Sequence, residues 1–309
     1  MALLRAREPG LEAVPPARCL IGRSRACDLV LHERNVSSQH AVLEWIDGRW
    51  EIQDLHSRNG THVDEVRLAS GARAILRVGA RLRFGRDAPS WELCDASAPE
   101  LMARSLASDA LVRAEGGCLT LPDAQEPECS IYQDARGGWR VDQGDEVATI
   151  EDREVVHASG GPWRIHLPTA VIGTMQEIDA GPVVAGLSLR FAVSRDEEYV
   201  ELTARTGDRV LDLQARAHHY PLLLLARRRL ADVESGLGID EQGWIRQDEL
   251  LRMLRVDDNH LNISIHRARA QLGKAGVLDA ASLVERRTGT RQLRLGVSAV
   301  EIVLVDRAL

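Results

Sequence analysis

Short apolar runs broken by turn-rich stretches fill the first part of the chain. Runs at 19–21, 28–31, 40–45 and 50–54 are separated by segments such as Ile46-Asp47-Gly48 and Ser57-Arg58-Asn59-Gly60. Strands this short at this spacing predict an antiparallel sandwich over residues 1–97. A similar β-rich texture continues through 98–182. Turns are predicted at 123–127 and at Arg136-Gly137-Gly138, and strands at Trp139-Arg140-Val141 and 163–167. Five of the six tryptophans precede residue 164, as suits half-buried sheet surfaces.

The pattern then lengthens. After a strand-like stretch at 187–202, Leu222, Leu225, Leu230 and Val233, with Leu223 and Leu224 filling the stripe, predict an amphipathic helix over 218–234. A shorter helix is expected at 247–254. A third, at about 259–275, follows from Leu261, Ile265, Ala268 and Leu272, with Asp258 or Asn259 as N-cap and Gly276 at the end. Strands at 283–286 and 291–295 flank the turn Arg287-Thr288-Gly289-Thr290. Three helices and a hairpin in this order are the layout of an α+β winged helix-turn-helix. It is expected over 183–296, with 297–309 as a C-terminal strand or tail.

Composition narrows the function classes. Hydrophobic residues make up 44% of 309, enough for packed cores, so global disorder is excluded. The net charge of −7 excludes a wholesale nucleic-acid coat. Lys274 is the only lysine; the other bases are arginines, whose planar forks suit bidentate phosphate contacts. The acidity is local: 99–186 carries −9, while 1–98 and 187–309 carry +1 each. Within 258–296 the net charge is +4, a basic patch on an acidic chain. The charge split suggests that the acidic middle segment docks on the basic C-terminal face and masks it until the N-terminal domain is engaged. Five unpaired-looking cysteines without C-x-x-C, no signal-peptide core and no bilayer-length apolar run point to the cytoplasm and away from membranes. No metal or cofactor motif is present. The absence of G-x-x-x-x-G-K-[ST] and H-E-x-x-H argues against an enzyme.

Residues 40–52 and 129–141 align without a gap at an offset of 89, sharing Val42/Ile131, Gly48/Gly137 and Trp50/Trp139. The match suits a second, degenerate sandwich copy and an unrelated pair of hairpins about equally.

Three loop motifs stand in order: Gly22-Arg23-Ser24, Ser37-Ser38-Gln39-His40, and Ser57-Arg58-Asn59-Gly60-Thr61, the last preceded by W-x-I-x-D-L. Together they resemble the forkhead-associated (FHA) domain over roughly 18–86. The resemblance implies an all-β sandwich that binds phosphothreonine peptides on loops at one end. Phosphothreonine carries about −1.5 to −2 charge and three acceptor oxygens. Arg23 would supply the cationic fork and Ser37 a hydroxyl, with Ser38 at a place where the family often has another polar ligand. Asn59 suits the peptide main chain, and Arg58, with Arg34, an acidic residue downstream. By the same resemblance His40 braces the loops from inside, and Gly22, Gly60 and Thr61 shape the backbone. At the offset of 89, Cys129 replaces His40 and no N-G-T follows, so the middle segment is not expected to read phosphate.

ISIHRARAQL at 263–272, followed by SLVERRTGTRQLRL at 282–295, resembles the effector domain of OmpR/PhoB-type response regulators. That resemblance implies a helix in the DNA major groove and a wing across the adjacent minor groove. The wing departs from the family's usual G-x-G-Y-R. Asn262, Ser264, His266, Arg267, Arg269, Arg286, Arg287, Thr288 and Arg291 would contact DNA, with asparagine and arginine suited to base edges and Arg286, Arg287 and Arg291 of the hairpin to phosphates. The expected protein is a phosphothreonine-dependent transcriptional regulator. Its partners would be a threonine-phosphorylated protein, a Ser/Thr kinase or its substrate, and double-stranded DNA. The alternative is a phospho-dependent adaptor whose winged helix binds protein.

Overall fold

Side-chain alternation lays the first hundred residues into two facing sheets. In the computed structural model, which describes residues 2–7, 11–86, 89–108, 110–134, 137–143, 146–168, 181–287 and 289–306, the chain divides into two compact units. One comprises Met1–Met102 with His166–Gln176; the other comprises Ala103–Ile165 with Glu177–Leu309.

The first unit holds β1 (Leu3–Ala6), β2 (Glu12–Ala13), β3 (Arg18–Gly22), β4 (Leu29–Val30), β5 (Ala41–Ile46) and β6 (Arg49–Asp54). It continues with β7 (Thr61–Val63), β8 (Val66–Arg67), β9 (Arg73–Ile75), β10 (Arg81–Phe84) and β11 (Trp91–Asp95). One sheet runs β4-β3-β5-β6-β9 and the other β2-β1-β11-β10-β7-β8. Along β6 the residues Trp50, Ile52 and Asp54 point inward and their neighbours outward. Trp50 and Ile52 join Ile21, Leu43, Leu82, Phe84 and Leu93 in one buried core. Asp47 and Gly48 both take positive φ, 48° and 76°, the two-residue turn that matches strand twist. Asp64 and Glu65 do the same at 48° and 65°, a hairpin without glycine and without a sequence signal.

The second unit starts within β12 (Met102–Ser105) and continues with β13 (Leu111–Arg113), β14 (Cys118–Leu121) and β15 (Cys129–Gln133). Then come β16 (Trp139–Asp142), β17 (Val147–Thr149), β18 (Val155–Ala158) and β19 (Gly161–His166). Their sheets run β14-β15-β16-β17 and β13-β12-β19-β18. Taken in chain order, these eight strands repeat the connectivity of β1, β2, β3, β5, β6, β9, β10 and β11. Counterparts of β4, β7 and β8 are absent among the described residues. The gapless offset is off by one residue on one strand. Ala41 pairs with Asp54, while Ser130 pairs with Asp142, so the second hairpin is one residue shorter.

The rest of this unit is mixed. β20 (Ser188–Ser194), β21 (Val200–Thr206) and β22 (Arg209–Ala215) form an antiparallel sheet that β26 (Ala299–Val305) joins parallel to β20. The predicted C-terminal strand is thus part of the leading sheet. Between them lie α1 (Tyr220–Glu234), β23 (Ile245–Arg246), α2 (Gln247–Leu254), α3 (Asp258–Lys274), β24 (Val284–Arg287) and β25 (Gln292–Leu295). The three short strands pair in the order β23-β25-β24. Leu222, Leu225, Leu261, Ile265, Ala268, Leu272, Leu293 and Leu295 share one core.

Two local expectations change. Asp257 is the N-cap of α3, its carboxylate accepting the His260 N–H at 2.8 Å. Val233 lies exposed, because the last turns of α1 bury Arg229 and Asp232 instead. Arg229 donates to the Leu295 carbonyl at 2.6 Å and Asp232 accepts the Gly243 N–H at 2.8 Å. These bonds compensate polar groups that would be costly to bury alone. No helix among the described residues is long and apolar enough to cross a membrane.

Candidate functional site

The ends of β3 and β6 and the start of β5 bring the three predicted loop motifs together. His40, fully buried just before β5, joins them. Its Nδ1 accepts the Ser37 N–H at 3.1 Å, and its Nε2 faces the Gly60 carbonyl at 3.2 Å. An acceptor at Nδ1 requires the proton on Nε2, so the neutral ring donates to Gly60. Burial pushes the His40 pKa below the ordinary histidine value, which preserves that form. The Phe84 ring meets it edge-on at 5.8 Å.

Asp54, the last residue of β6 and also buried, anchors the third loop. One carboxylate oxygen accepts the Ser57 and Thr61 hydroxyls at 2.5 and 2.8 Å, and the other accepts the Ser57 N–H at 3.1 Å. Burial works to raise this carboxyl, but the hydrogen bonds outweigh it and hold its pKa below the usual range. The Ser57 hydroxyl in turn accepts the Gly60 N–H at 3.0 Å.

The first two loops are stitched through backbone. The Arg23 N–H donates to Ser37 at 2.9 Å and the Ser24 N–H to Ser38 at 3.0 Å. A Cβ on Gly22 would run into the Ser38 carbonyl, so this approach demands glycine. Arg23 stays exposed, with its Nε donating to the Val36 carbonyl at 3.3 Å. The Ser37 hydroxyl accepts the Arg58 N–H at 3.1 Å, and Ser38 is exposed beside it. The Asn59 amide donates to the Asn35 carbonyl at 2.7 Å, which fixes its orientation. Arg34 and Arg58 are exposed. Arg23, Ser37, Ser38, Arg58 and Asn59 thus lie at one end of the sandwich, with Gly22, His40, Gly60 and Thr61 beneath them.

Sequence reasoning missed Asp54, Ser57, Asn35 and Arg67. The W-x-I-x-D-L pattern did contain Asp54, but only the fold shows what its carboxylate holds. Arg67, on the neighbouring β8, lays its guanidinium against Gly60.

A family model for the FHA domain matches residues 19–85. The N-terminal region is an FHA domain. The FHA domain-containing protein FhaB of Mycobacterium tuberculosis is 35% identical over 69 residues, 22% of this chain and 43% of that protein. Its counterpart in Mycolicibacterium smegmatis is 34% identical over 67 residues, 22% and 42% of the two chains. The match therefore spans less than half the length of these relatives. Among solved structures, EmbR of Mycobacterium tuberculosis in complex with a low-affinity phosphopeptide is 32% identical, with 30% of this chain and 24% of that one covered and a TM-score of 0.28. The FHA domain of an Arabidopsis thaliana hypothetical protein is 27% identical, with 32% and 87% covered and a TM-score of 0.29. FHA domains are phosphothreonine-binding modules rather than enzymes.

Of the nine residues expected to meet DNA, six are buried or engaged by other side chains. Ser264, His266 and Arg269 are buried. The Ser264 hydroxyl donates back to the His260 carbonyl at 2.9 Å. Arg269 donates to the Val284 carbonyl at 2.8 Å and stacks over Tyr132 at 5.0 Å. Asn262 accepts from Arg286 at 2.9 Å. Arg286 also donates to Gln247 at 2.8 Å and pairs with Asp142 at 3.0 Å. Arg287 stacks on Trp244 at 4.4 Å. Arg267 and Arg291 are exposed, and Thr288 lies outside the described residues. The helix spacing left this polar stripe open to solvent because the spacing carries no information about β14–β16, which cover it.

Proposed function

We propose that the protein is a cytoplasmic phosphothreonine-dependent regulator. Its FHA domain docks a threonine-phosphorylated partner, a Ser/Thr kinase or its substrate, and its C-terminal winged helix binds double-stranded DNA. One observation carries the first half: the exposed Arg23 fork, the Ser37 and Ser38 hydroxyls and the oriented Asn59 amide share one loop end, over an internal brace of His40 and Asp54. This set offers a charge-assisted donor, hydroxyl donors and an amide for an extended peptide. The element order α1-β23-α2-α3-β24-β25 and the local basic charge support the second half.

Calorimetry with a phosphothreonine peptide and its dephosphorylated form tests the first half. The phosphorylated peptide binds the full chain, and Arg23→Ala loses about 1.5–3 kcal/mol, roughly 10- to 150-fold in affinity. Equal binding of both peptides would refute phosphate reading. The adaptor reading is favoured by the burial of Arg269 and His266 against the middle strands. A mobility-shift titration separates the two: salt-sensitive retention of duplex DNA supports the regulator, and none at low salt supports the adaptor.

A further inference from the structure

The contact between α3 and the strands β14–β16 has a definite place in the sandwich plan. Asp142 is the last residue of β16, as Asp54 is the last of β6. By sheet pairing Asp142 lies opposite Ser130, and Asp54 opposite Ala41, which puts Cys129 in the place of His40. Asp54 and His40 are the two buried groups that organise the phosphothreonine-reading end of the FHA domain. Their counterparts Asp142 and Cys129 face α3 instead. Where the first sandwich runs through 55–72 and the strands β7 and β8, the second passes from Asp142 to Val147 within a few residues. The loop that would have covered this end is missing, and a helix occupies the space.

The fit is close. Asn262, His266, Arg269 and Gly273 form one helical stripe, spaced four, three and four residues apart. Asp142, 4% exposed, pairs with Arg269 at 3.5 Å and with Arg286 at 3.0 Å. Tyr132 lies beneath the Arg269 guanidinium. Cys118 and Tyr132 pack on Ala281. The remaining gap, lined by Glu128, Cys129, Asn262 and His266, is about 10 Å³, room for one water at most. At the far end Gly273 meets Gly116 so closely that a Cβ on Gly273 would collide with the Gly116 backbone. Beyond it Lys274 pairs with Glu115 at 2.9 Å.

We infer that the middle sandwich is a copy of the FHA fold whose peptide-reading end has become an intramolecular clamp on α3, and that DNA is read only when the clamp opens. This inference rests on the DNA-reading half of the proposed function. The buried groups on α3 and β24 are those expected to meet bases and phosphates, so clamp and duplex compete for one surface.

The test uses the full chain with two separate variants. Asp142→Arg replaces the carboxylate with a charge that repels Arg269 and Arg286. Gly273→Leu forces the Gly116 contact apart while leaving Asp142 and both arginines in place, so the test survives misfolding of the first variant. Opening is read by alkylation of Cys118 and Cys129 with iodoacetamide, followed by peptide mapping. DNA binding is read by fluorescence anisotropy on short duplexes of random sequence at low salt. The expected result is faster alkylation at both cysteines and duplex affinity raised about tenfold or more. Faster alkylation with duplex affinity equal to that of a DNA-binding wild type overturns the clamp and leaves DNA reading standing. Faster alkylation with no duplex binding by any form overturns DNA reading, and the clamp falls with it. Unchanged alkylation in both variants also overturns the clamp.

Discussion

The FHA domain and the middle sandwich place an aspartate at the same point of the same sheet and use it differently. Asp54 spends its hydrogen-bonding capacity within its own domain, on Ser57 and Thr61. Asp142 faces two arginines from α3 and β24. The first arrangement braces a loop whose outer surface stays free for a ligand. The second ties two folding modules together. A shared strand plan therefore does not carry a shared site. What decides is whether the loop after the aspartate is long enough to cover it with hydroxyls from its own chain.

The largest effect is expected at Asp142. Asp142→Ala leaves Arg269 buried without its carboxylate, a loss of about 3–5 kcal/mol. Urea unfolding should show it in the transition of the second unit, with phosphothreonine peptide binding intact. Asp54→Ala should give the mirror image. It strands the Ser57 and Thr61 hydroxyls, costs about 1–3 kcal/mol in the FHA transition, and lowers phosphopeptide affinity. If either variant weakens both transitions equally, the two aspartates do not act locally.

A pH series sharpens the contrast with a smaller effect. His40 is held neutral by burial, with a folded-state pKa below its unfolded value near 6.5. Its contribution is complete above that value and is lost as pH falls, since the unfolded chain takes the proton more readily. FHA stability should therefore decline as pH drops below about 6.5, and the decline should be shallower in His40→Gln. His62 shifts in the same direction, again through burial, so part of the decline remains in that variant. The smallest effect belongs to Lys274→Ala. Its partner Glu115 is held below the usual carboxylate range by the lysine, but both side chains are mostly exposed, so less than about 1 kcal/mol is at stake. A larger loss in thermal unfolding would mean that this rim pair matters to the clamp.

The loop motifs of the FHA domain were legible because three separate stretches had to agree. Arg23, Ser37 and Asn59 are also near enough to strand ends for a sandwich to gather them. The helices were legible from Leu222, Leu261 and their partners, because apolar spacing reports the face turned to the core. The same spacing misplaced Arg269. It assigns every residue off the apolar stripe to solvent, and a second packing partner leaves no trace in one helix's own period. Val233 failed for the related reason that Arg229 and Asp232 found partners on Gly243 and β25.

Sequence alone determined most of the short strands, the three helices and the three loop motifs that meet at one end of the FHA domain, since local turn chemistry and side-chain periodicity are written in neighbouring residues. The tertiary structure decided which polar groups are available. Asp142 and Arg269 are 127 residues apart, and only the packing of β14–β16 on α3 brings their charges together.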